Sequence, residues 1–286
     1  MAAIGVQMMM LKSKVEQTGP YETLRRLTEV GFRAVEVSQI PMSPDNVAEM
    51  RRARDELGVD FGALSAAIQT PVGAPNDSLT TDFDKVVGDA RTLGADMVRI
   101  GMMPFEAMAS YDELLRFCRQ ADDTAVRLAE VGIGLYYHNH HIEFAKHGGE
   151  LILDIIREKA PNLRLEIDVH WVQRGGRDPV RTLQKYAGLV DLVHLKDYRI
   201  GPLDPAAFEA LRAGDVVGFM TAFTGVVQFA EVGEGTLDWP EIIDTAIASG
   251  AKYLFIEQDE QYGRDPFDCL VTSRENLVAA GYEALL

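Results

Sequence analysis

Cysteine is scarce in this sequence, which argues against a fold held together by disulfides and against one held together by a structural zinc ion. Only two cysteines occur, Cys118 and Cys269, and neither lies near a second cysteine or a suitably spaced histidine. A disulfide framework needs paired cysteines, and a structural zinc site normally uses thiolates. Both residues instead fall within apolar helical patterns, which predicts two buried core residues in a reducing compartment.

Basic residues are outnumbered as well. The chain has 28 Lys and Arg against 44 Asp and Glu, which gives a formal charge of −16 at pH 7. Proteins that hold nucleic acids through their phosphates normally present a basic face. The composition therefore argues against a nucleic-acid partner.

Long apolar runs are missing too. None approaches the roughly 18 to 20 residues of a membrane span. The opening MAAIGVQMMMLKSK lacks the basic start and the small-residue cleavage site of a signal peptide. We therefore expect a cytoplasmic protein without a membrane partner.

What the sequence does contain is a repeated unit of a short apolar run, a turn and an amphipathic helix. The runs are mostly too apolar for a sheet that faces water, which is typical of parallel strands. The predicted strands are Ile4–Met9, Ala34–Ser38, Asp60–Ser65, Met97–Gly101, Ile133–His138, Leu163–Asp168, Leu192–Lys196 and Tyr253–Glu257.

This alternation continues over residues 1–286 without a linker. It predicts an α/β protein with a single (β/α)8 TIM barrel domain. A doubly wound open sheet is the alternative, but no G-x-G-x-x-G follows the first predicted strand.

Helix ends and one long insertion complete the predicted organisation. Ser43-Pro44, Asp178-Pro179 and Asp238 are typical of helix starts. Asp197 to Lys252 separates the last two strands, and it contains a predicted helix at Pro205–Ala213 and a predicted strand at Val226–Glu231. Long loops after barrel strands tend to shape the site.

Acidic and histidine side chains follow predicted strands five to eight. Glu143, Asp168, His194 and Glu257 supply three carboxylates and one imidazole. In a barrel these strand ends meet on the face that carries catalytic residues. Such a donor set suits one divalent ion, with Mn²⁺, Mg²⁺, Co²⁺ and Zn²⁺ all compatible.

The segment YYHNHHIEF leaves the first of these ligands open. Glu143 lies beyond the predicted end of strand five, so His138 or His140 is an alternative ligand. Period-two alternation points His138 and His140 to the same side. We therefore expect both histidines to line the site.

Motifs spread over nearly the whole chain carry a family resemblance. They are GVQMMML, AVEVSQI, YYHNHHIEF, LEIDVHW followed by GGRDPV, LVHLKD, VGEGTLDW and LFIEQD. With these motifs the chain resembles the sugar phosphate isomerase/epimerase family, the xylose isomerase-like TIM barrels.

The resemblance implies a metal site and a chemistry. One divalent ion, Mn²⁺ by expectation, is held by Glu143, Asp168, His194 and Glu257, and Glu143 and Glu257 act as the acid/base pair. An ion bound to a substrate oxygen stabilises the enediolate formed when the neighbouring C–H is deprotonated. The implied activity is that of an isomerase or epimerase of a sugar or cyclitol in carbohydrate metabolism.

A carbon–oxygen lyase on the same site is the alternative. The same enolate loses water or an alkoxide when a leaving group stands at the β position, as in the similar inosose dehydratases and 3-keto-glycoside eliminases. The N-R-F-E-like stretch of free-ketose epimerases reads N-H-H-I-E here, so both reactions stay open. The side chains expected to bind substrate or to protonate a leaving group are His138, His140, His170, Lys196 and, through an apolar face, Trp171.

An endonuclease IV-like enzyme would need more zinc ligands and a basic DNA face, which the charge of −16 argues against. A non-catalytic barrel that binds a polyol or a partner subunit without turnover stays open. Gly233 and Gly235 either bind an anion through backbone N–H groups or only turn the chain. The resemblance allows a homo-oligomer, although the pattern singles out no helix with an exposed apolar face.

Overall fold

Eight parallel strands close into a barrel, as the alternation predicts. The computed structural model describes residues 2–70 and 77–286. Each strand pairs with its chain neighbours, and the eighth pairs with the first. The predicted strands are confirmed, with ends that differ by at most two residues. The barrel strands are Ala3–Gln7 (β1), Ala34–Val37 (β2), Asp60–Ser65 (β3), Met97–Ile100 (β4), Gly134–His138 (β5), Arg164–Asp168 (β6), Val190–Leu195 (β7) and Tyr253–Ile256 (β8).

Helices surround the barrel. Ser43, Asp178 and Asp238 cap helix starts as predicted, because each side chain accepts a hydrogen bond from a backbone N–H of the first turn. Cys118 and Cys269 are both buried. The α-helices are Lys12–Val30 (α1), Pro44–Leu57 (α2), Phe83–Leu93 (α3), Tyr111–Ala129 (α4), Ile152–Lys159 (α5), Val169–Arg174 (α6), Pro179–Lys185 (α7), Pro205–Arg212 (α8), Val216–Thr224 (α9), Trp239–Ser249 (α10) and Pro266–Ala279 (α11).

The insertion after β7 forms a hairpin that carries two helices. Asp197–Ile200 pairs antiparallel with Val227–Ala230, which confirms the extra strand predicted there. Between these strands lie α8, which was predicted, and α9, which was not. The hairpin begins directly after Lys196, so the insertion rises from the mouth of the barrel.

The barrel interior is layered. An apolar layer fills its lower part, formed by Ala34, Ala63, Met97, Tyr136, Leu192 and Phe255. Two residues further along these strands lie polar side chains, namely Glu36, Ser65, Arg99, His138, His194 and Glu257. Strand side chains alternate, so both sets point inward. The second set therefore forms the floor of the site at the carboxyl ends of the strands.

The lower layer leaves no room for a side chain at Gly5 on β1. A Cβ there would lie 2.8 Å from Cβ of Ala34 and would collide with the Ala34 carbonyl group on the neighbouring strand. We expect Gly5→Ala to lower the free energy of unfolding by about 2 to 3 kcal/mol, because a backbone must shift. Urea unfolding followed by circular dichroism measures this.

Gly88→Ala is the matched control. Gly88 lies inside α3, where a Cβ meets no atom of the described residues within 4 Å. Alanine there should raise the unfolding free energy by about 0.5 to 1 kcal/mol through its helix propensity. Equal effects of the two substitutions would contradict the close approach of β1 and β2.

The helices formed by residues 2–70 and 77–286 include none that is long and apolar enough to cross a bilayer.

Candidate active site

Four buried side chains from β5 to β8 converge at the carboxyl end of the barrel. They are His138, Asp168, His194 and Glu257, and one donor atom from each lies within 4.8 Å of the others. His194 Nδ1 lies 3.0 Å from His138 Nε2 and 2.9 Å from Glu257 Oε2. Asp168 Oδ2 lies 3.4 Å from His138 Nε2. These four side chains are called the donor cluster below.

Asp168 is held in place from both sides. Asn139 Oδ1 accepts a hydrogen bond from the Asp168 backbone N–H at 3.1 Å, and Asn139 Nδ2 donates to the Asp168 carbonyl at 3.3 Å. Asp168 Oδ1 accepts from the Trp171 backbone N–H at 2.9 Å, which caps α6. One carboxylate oxygen therefore fixes the side chain, and the other faces the cluster.

A second set of charged groups lies beneath His194. Its Nε2 lies 3.3 Å from Glu36 Oε1 and 3.2 Å from Glu166 Oε1. Arg99 Nε forms ion pairs with both glutamates, at 2.8 and 3.3 Å, and Arg99 Nη2 donates to Ser38 Oγ. The strand register shifts directly before Glu36 and directly before Glu166. Such irregularities are common in strands next to active sites. His194 is thus bounded by carboxylates on both edges of its ring.

The electrostatics of the cluster favour a cation. Burial lowers the pKa of His194, but Glu166, Glu257 and Glu36 together raise that pKa well above its usual value. Burial opposes ionisation of Glu257, yet Lys196 and His194 hold its pKa well below the usual range. Burial lowers the pKa of His138 to about 4, which leaves that ring neutral with a lone pair available.

The donor cluster fits a divalent ion. Asp168 Oδ2 is fully buried and accepts a hydrogen bond from none of the residues that the structure describes. A buried carboxylate oxygen without such a partner is costly, and a metal ion is one way to satisfy it. Two carboxylates and two imidazoles suit Mn²⁺, Co²⁺ or Zn²⁺.

Glu143 lies apart from this cluster. Its Oε1 accepts a hydrogen bond from Tyr137 Oη at 2.6 Å, and its Oε2 accepts from the His140 backbone N–H at 2.8 Å. Burial raises the pKa of Glu143, and these hydrogen bonds act against that rise. Of the candidates for the first ligand, His138 is therefore the residue that the fold brings to the other three.

Lys196 lies against the cluster inside a cage of carboxylates and aromatic rings. Its Nζ is 3.1 Å from Glu257 Oε2 and 2.6 Å from Asp259 Oδ1, and it lies 5.1 Å from the Trp171 ring centroid and 5.3 Å from that of Phe229. Burial lowers the pKa of Lys196, but Glu257 and neighbouring aspartates more than reverse this. Lys196 therefore stays protonated and acts as a hydrogen-bond donor.

Two further histidines keep their ring nitrogens available. Among the described residues, neither ring nitrogen of His170 has a hydrogen-bond partner, and Nδ1 of His140 has none. Burial lowers the pKa of His140 to about 3 and that of His170 to about 4, so both rings are neutral. Both rings pack against Trp171, with centroids 5.5 and 4.8 Å away.

A cavity of about 410 Å³ opens above the cluster. Polar side chains occupy its base, where His138, Glu257 and Lys196 meet Gln7 and Arg99. Its volume falls in the range of small-molecule sites. Apolar side chains also line the cavity, namely Met9, Val37, Ile40, Met42 and Met102.

The glycines of VGEG do bind an anion, and the anion is a side chain of the same protein. Asp197 is fully buried and accepts hydrogen bonds from the backbone N–H groups of Gly233 and Gly235 at 3.1 Å and from Trp239 Nε1 at 2.6 Å. Tyr198, Thr236 and Leu237 also donate backbone N–H groups to it. These glycines are therefore structural, and the carboxylate of LVHLKD ties the VGEGTLDW loop to β7.

Several site residues had no role assigned from the sequence, among them Gln7, Asp259 and Glu166. Gln7 Nε2 donates to Glu257 Oε1 at 2.9 Å, Asp259 pairs with Lys196, and Glu166 lies below His194. The alternation of inward and outward side chains along β1 and β6 could have placed Gln7 and Glu166 inside the barrel. Asp259 lies beyond the end of β8, where alternation no longer applies.

A closed (β/α)8 barrel with a cluster of ionisable groups at the carboxyl ends of its strands has the arrangement of a TIM-barrel enzyme. The model of the family described as xylose isomerase-like TIM barrel matches residues 24–283. The chain belongs to this family, which confirms the resemblance drawn from its motifs.

One curated relative matches part of the chain. The rhizopine catabolism protein MocC of Rhizobium meliloti is 27% identical over 150 residues, which cover 52% of this chain and 44% of that protein. The match therefore spans less than half of the relative.

Solved structures match nearly the whole chain. A sugar phosphate isomerase/epimerase from Parabacteroides distasonis ATCC 8503 has a TM-score of 0.73 and 20% identity over 98% of each chain. An L-ribulose 3-epimerase has a TM-score of 0.68 and 17% identity, covering 100% of this chain and 96% of that one. The probable 3-DHS dehydratase AsbF from Bacillus anthracis has a TM-score of 0.68 and 14% identity, covering 97% and 99%. At these identities the likeness concerns the fold.

Proposed function

We propose that this protein is a divalent-metal-dependent isomerase or epimerase of a sugar or cyclitol, which removes a proton next to a carbonyl group. The observation that carries the proposal is the donor cluster, in which His138, Asp168, His194 and Glu257 converge within 4.8 Å and from which His138 and Glu257 line the cavity. Mn²⁺ is the metal that we expect there. When bound, such an ion supplies positive charge against the negative charge that develops on a substrate oxygen.

Glu257 is the proposed base. It lines the cavity as a carboxylate, and Gln7 fixes its Oε1 so that Oε2 faces Lys196 and His194. A carboxylate in this position can accept the proton of a substrate C–H and return it to carbon. Lys196 and His140, which line the cavity, and His170, which packs against Trp171, are the proposed hydrogen-bonding groups for substrate hydroxyls, and Trp171 is the proposed apolar ring face.

Glu143 is still proposed as a metal ligand and as the second acid/base group. To bind the ion, its carboxylate would have to leave Tyr137 Oη and the His140 backbone N–H, which donate hydrogen bonds to it in this structure. His138 is the ligand that needs no such movement. The metal-binding variants below distinguish the two.

A lyase is the second candidate, and one contact favours it. Glu257 Oε2 and Lys196 Nζ lie 3.1 Å apart at the cavity base, so a proton acceptor and a proton donor stand side by side. Elimination uses such a pair, since one group takes the C–H proton and the other protonates the departing oxygen. Among the proteins of similar fold, one is described as a dehydratase and another as an epimerase.

Proton NMR in D₂O tests both candidates. The protein is incubated with Mg²⁺ or trace Mn²⁺ and a panel of ketoses, inososes and 3-keto-glycosides. Deuterium in an inverted or rearranged sugar supports the isomerase or epimerase, and an unsaturated product with loss of water or an aglycone supports the lyase. Full activity after exhaustive chelation would contradict the metal-dependent proposal in either form.

Metal affinity is expected to depend on the donor cluster. Asp168→Asn and His194→Ala should weaken Mn²⁺ binding by at least about 10- to 100-fold, since each removes a donor from a buried site. Titration calorimetry on the chelated protein measures the affinity directly, without a substrate.

The pair His138→Ala and Glu143→Gln locates the first ligand in the same titration. If His138 is the ligand, only His138→Ala weakens binding, whereas a loss confined to Glu143→Gln assigns the ligand to Glu143. Glu260→Gln, on the exposed chain beyond the cavity, is the control.

A further inference from the structure

Exposed apolar side chains concentrate on the insertion after β7. Among the large apolar residues that are exposed in the described part of the chain, half lie between residues 200 and 223. This segment is less than a tenth of the protein. The side chains are Ile200, Phe208, Leu211, Val216, Val217, Met220 and Phe223, and they are called the insertion patch below. The sequence pattern did not single it out.

Packing against the described residues does not explain why helix α9 is stable. None of its nine residues is buried within the described structure, and Val217 is 77% exposed. Its sequence, VVGFMTAFT, is rich in residues of low helix propensity, and isolated helices shorter than about 12 residues are marginal in water. Its aromatic contacts are with α8, through Phe208 and Phe219 at 5.9 Å, and within itself. The two helices therefore present a joint apolar face.

We infer that the insertion patch is a homodimer interface, which a second copy of this chain covers by packing α8 and α9 against the same helices. With exposed fractions of 41% to 77%, the patch presents on the order of 600 Å² of apolar surface, which is the upper end of what the largest apolar patch on a monomer covers. A standard interface takes about 800 Å² from each partner. Half-buried neighbours such as Phe219 and Val226 supply the remainder.

Charge favours a second copy at this place. The chain carries a formal charge of −16, so two copies repel one another over most of their surface. From Val216 to Ala230 the sequence contains no charged residue. Charges within the proposed interface come from α8 and its ends, where Glu209 and Arg212 are of opposite sign. The uncharged face of α9 is where two such acidic chains can meet without burying like charges, and a two-fold axis lets one patch complement itself.

The interface would stand beside the active site. The hairpin that carries α8 and α9 begins after Lys196, and Phe229 on its second strand lies 5.1 Å from the His170 ring. Dimer formation would therefore fix the position of the hairpin whose Phe229 packs against Lys196. The inference does not depend on which reaction the site performs.

Light scattering on the eluting protein measures the mass of the full chain in solution. The expected mass is twice the 31.6 kDa of one chain at about 10 µM and above. Val217→Asp and Phe223→Asp are expected to give the single-chain mass with an unchanged circular dichroism spectrum, because both side chains are exposed in the single chain. Val271→Asp, an exposed apolar residue on α11, is the control and should leave the dimer intact.

Hydrogen exchange on the unmodified protein gives a readout that needs no variant. Amides of α9 should exchange more slowly at high than at low protein concentration, while those of α4 should not change. A single-chain mass at every concentration, or a dimer that survives both aspartate substitutions, overturns the inference. If the protein is monomeric and the aspartate variants raise KM, the patch instead closes over its own active site.

Discussion

Replacing Glu257 by glutamine is expected to lower turnover by about 10³-fold at saturating metal, with little change in KM. The Glu257 side chain is buried at the cavity base, with Gln7 on one carboxylate oxygen and Lys196 and His194 on the other. Glutamine keeps the shape and one oxygen donor, but it cannot accept a proton from carbon. Substrate binding should therefore survive while the C–H step loses its base.

Deuterium exchange into the substrate, followed by NMR, measures this step directly. Glu260→Gln is the control, because Glu260 is exposed and its Oε1 only accepts a hydrogen bond from the Tyr262 backbone N–H, which glutamine also allows. Exchange in Glu257→Gln at the rate of the unmodified protein would assign the base to another residue. Binding retained with no turnover in the unmodified protein, across all substrates, would favour a non-catalytic barrel.

Most of the site follows from one periodicity that the sequence displays. Tyr136 and His138 on β5, and Leu192 and His194 on β7, are pairs of inward residues two positions apart. The apolar member fills the barrel, and the polar member reaches the open end. Once the eight strands are recognised, the sequence therefore predicts that His138, His194 and Glu257 lie in one layer at the carboxyl end of the barrel.

The position of Glu143 could not be deduced in the same way. It lies in a single turn of 3-10 helix, Ile142–Phe144, after β5 has ended, and alternation gives no direction there. Its direction is set by Tyr137 Oη and the backbone N–H of His140. Both contacts depend on how the chain turns after His138, which residue spacing does not encode.

The exposed apolar helix was missed for a different reason. A pattern such as VVGFMTAFT is typical of a buried segment, because apolar side chains normally leave water on folding. The structure places α9 outside the barrel, where the described residues bury none of it. Burial between chains and burial within a chain look alike in sequence, so the pattern alone could not separate them.

The role of Asp197 also depends on long-range contacts. Its donors stand 36 to 42 residues further along the chain, except for the adjacent Tyr198. A Cβ at Gly235 would collide with the Asp197 carboxylate, so glycine is required where the loop wraps around it. The motifs HLKD and VGEGTLDW are thus one structural unit, in which a carboxylate replaces an external anion.

Asp197→Ala is expected to lower the free energy of unfolding by about 3 to 5 kcal/mol. The carboxylate accepts hydrogen bonds from several backbone N–H groups and from Trp239 Nε1, and its loss leaves these donors buried without a partner. Asp204→Ala is the matched control, since Asp204 accepts one backbone N–H from Ala206 at the exposed start of α8. That substitution should cost only about 1 kcal/mol. Urea unfolding measures both, and equal costs would show that Asp197 does not hold the loop to β7.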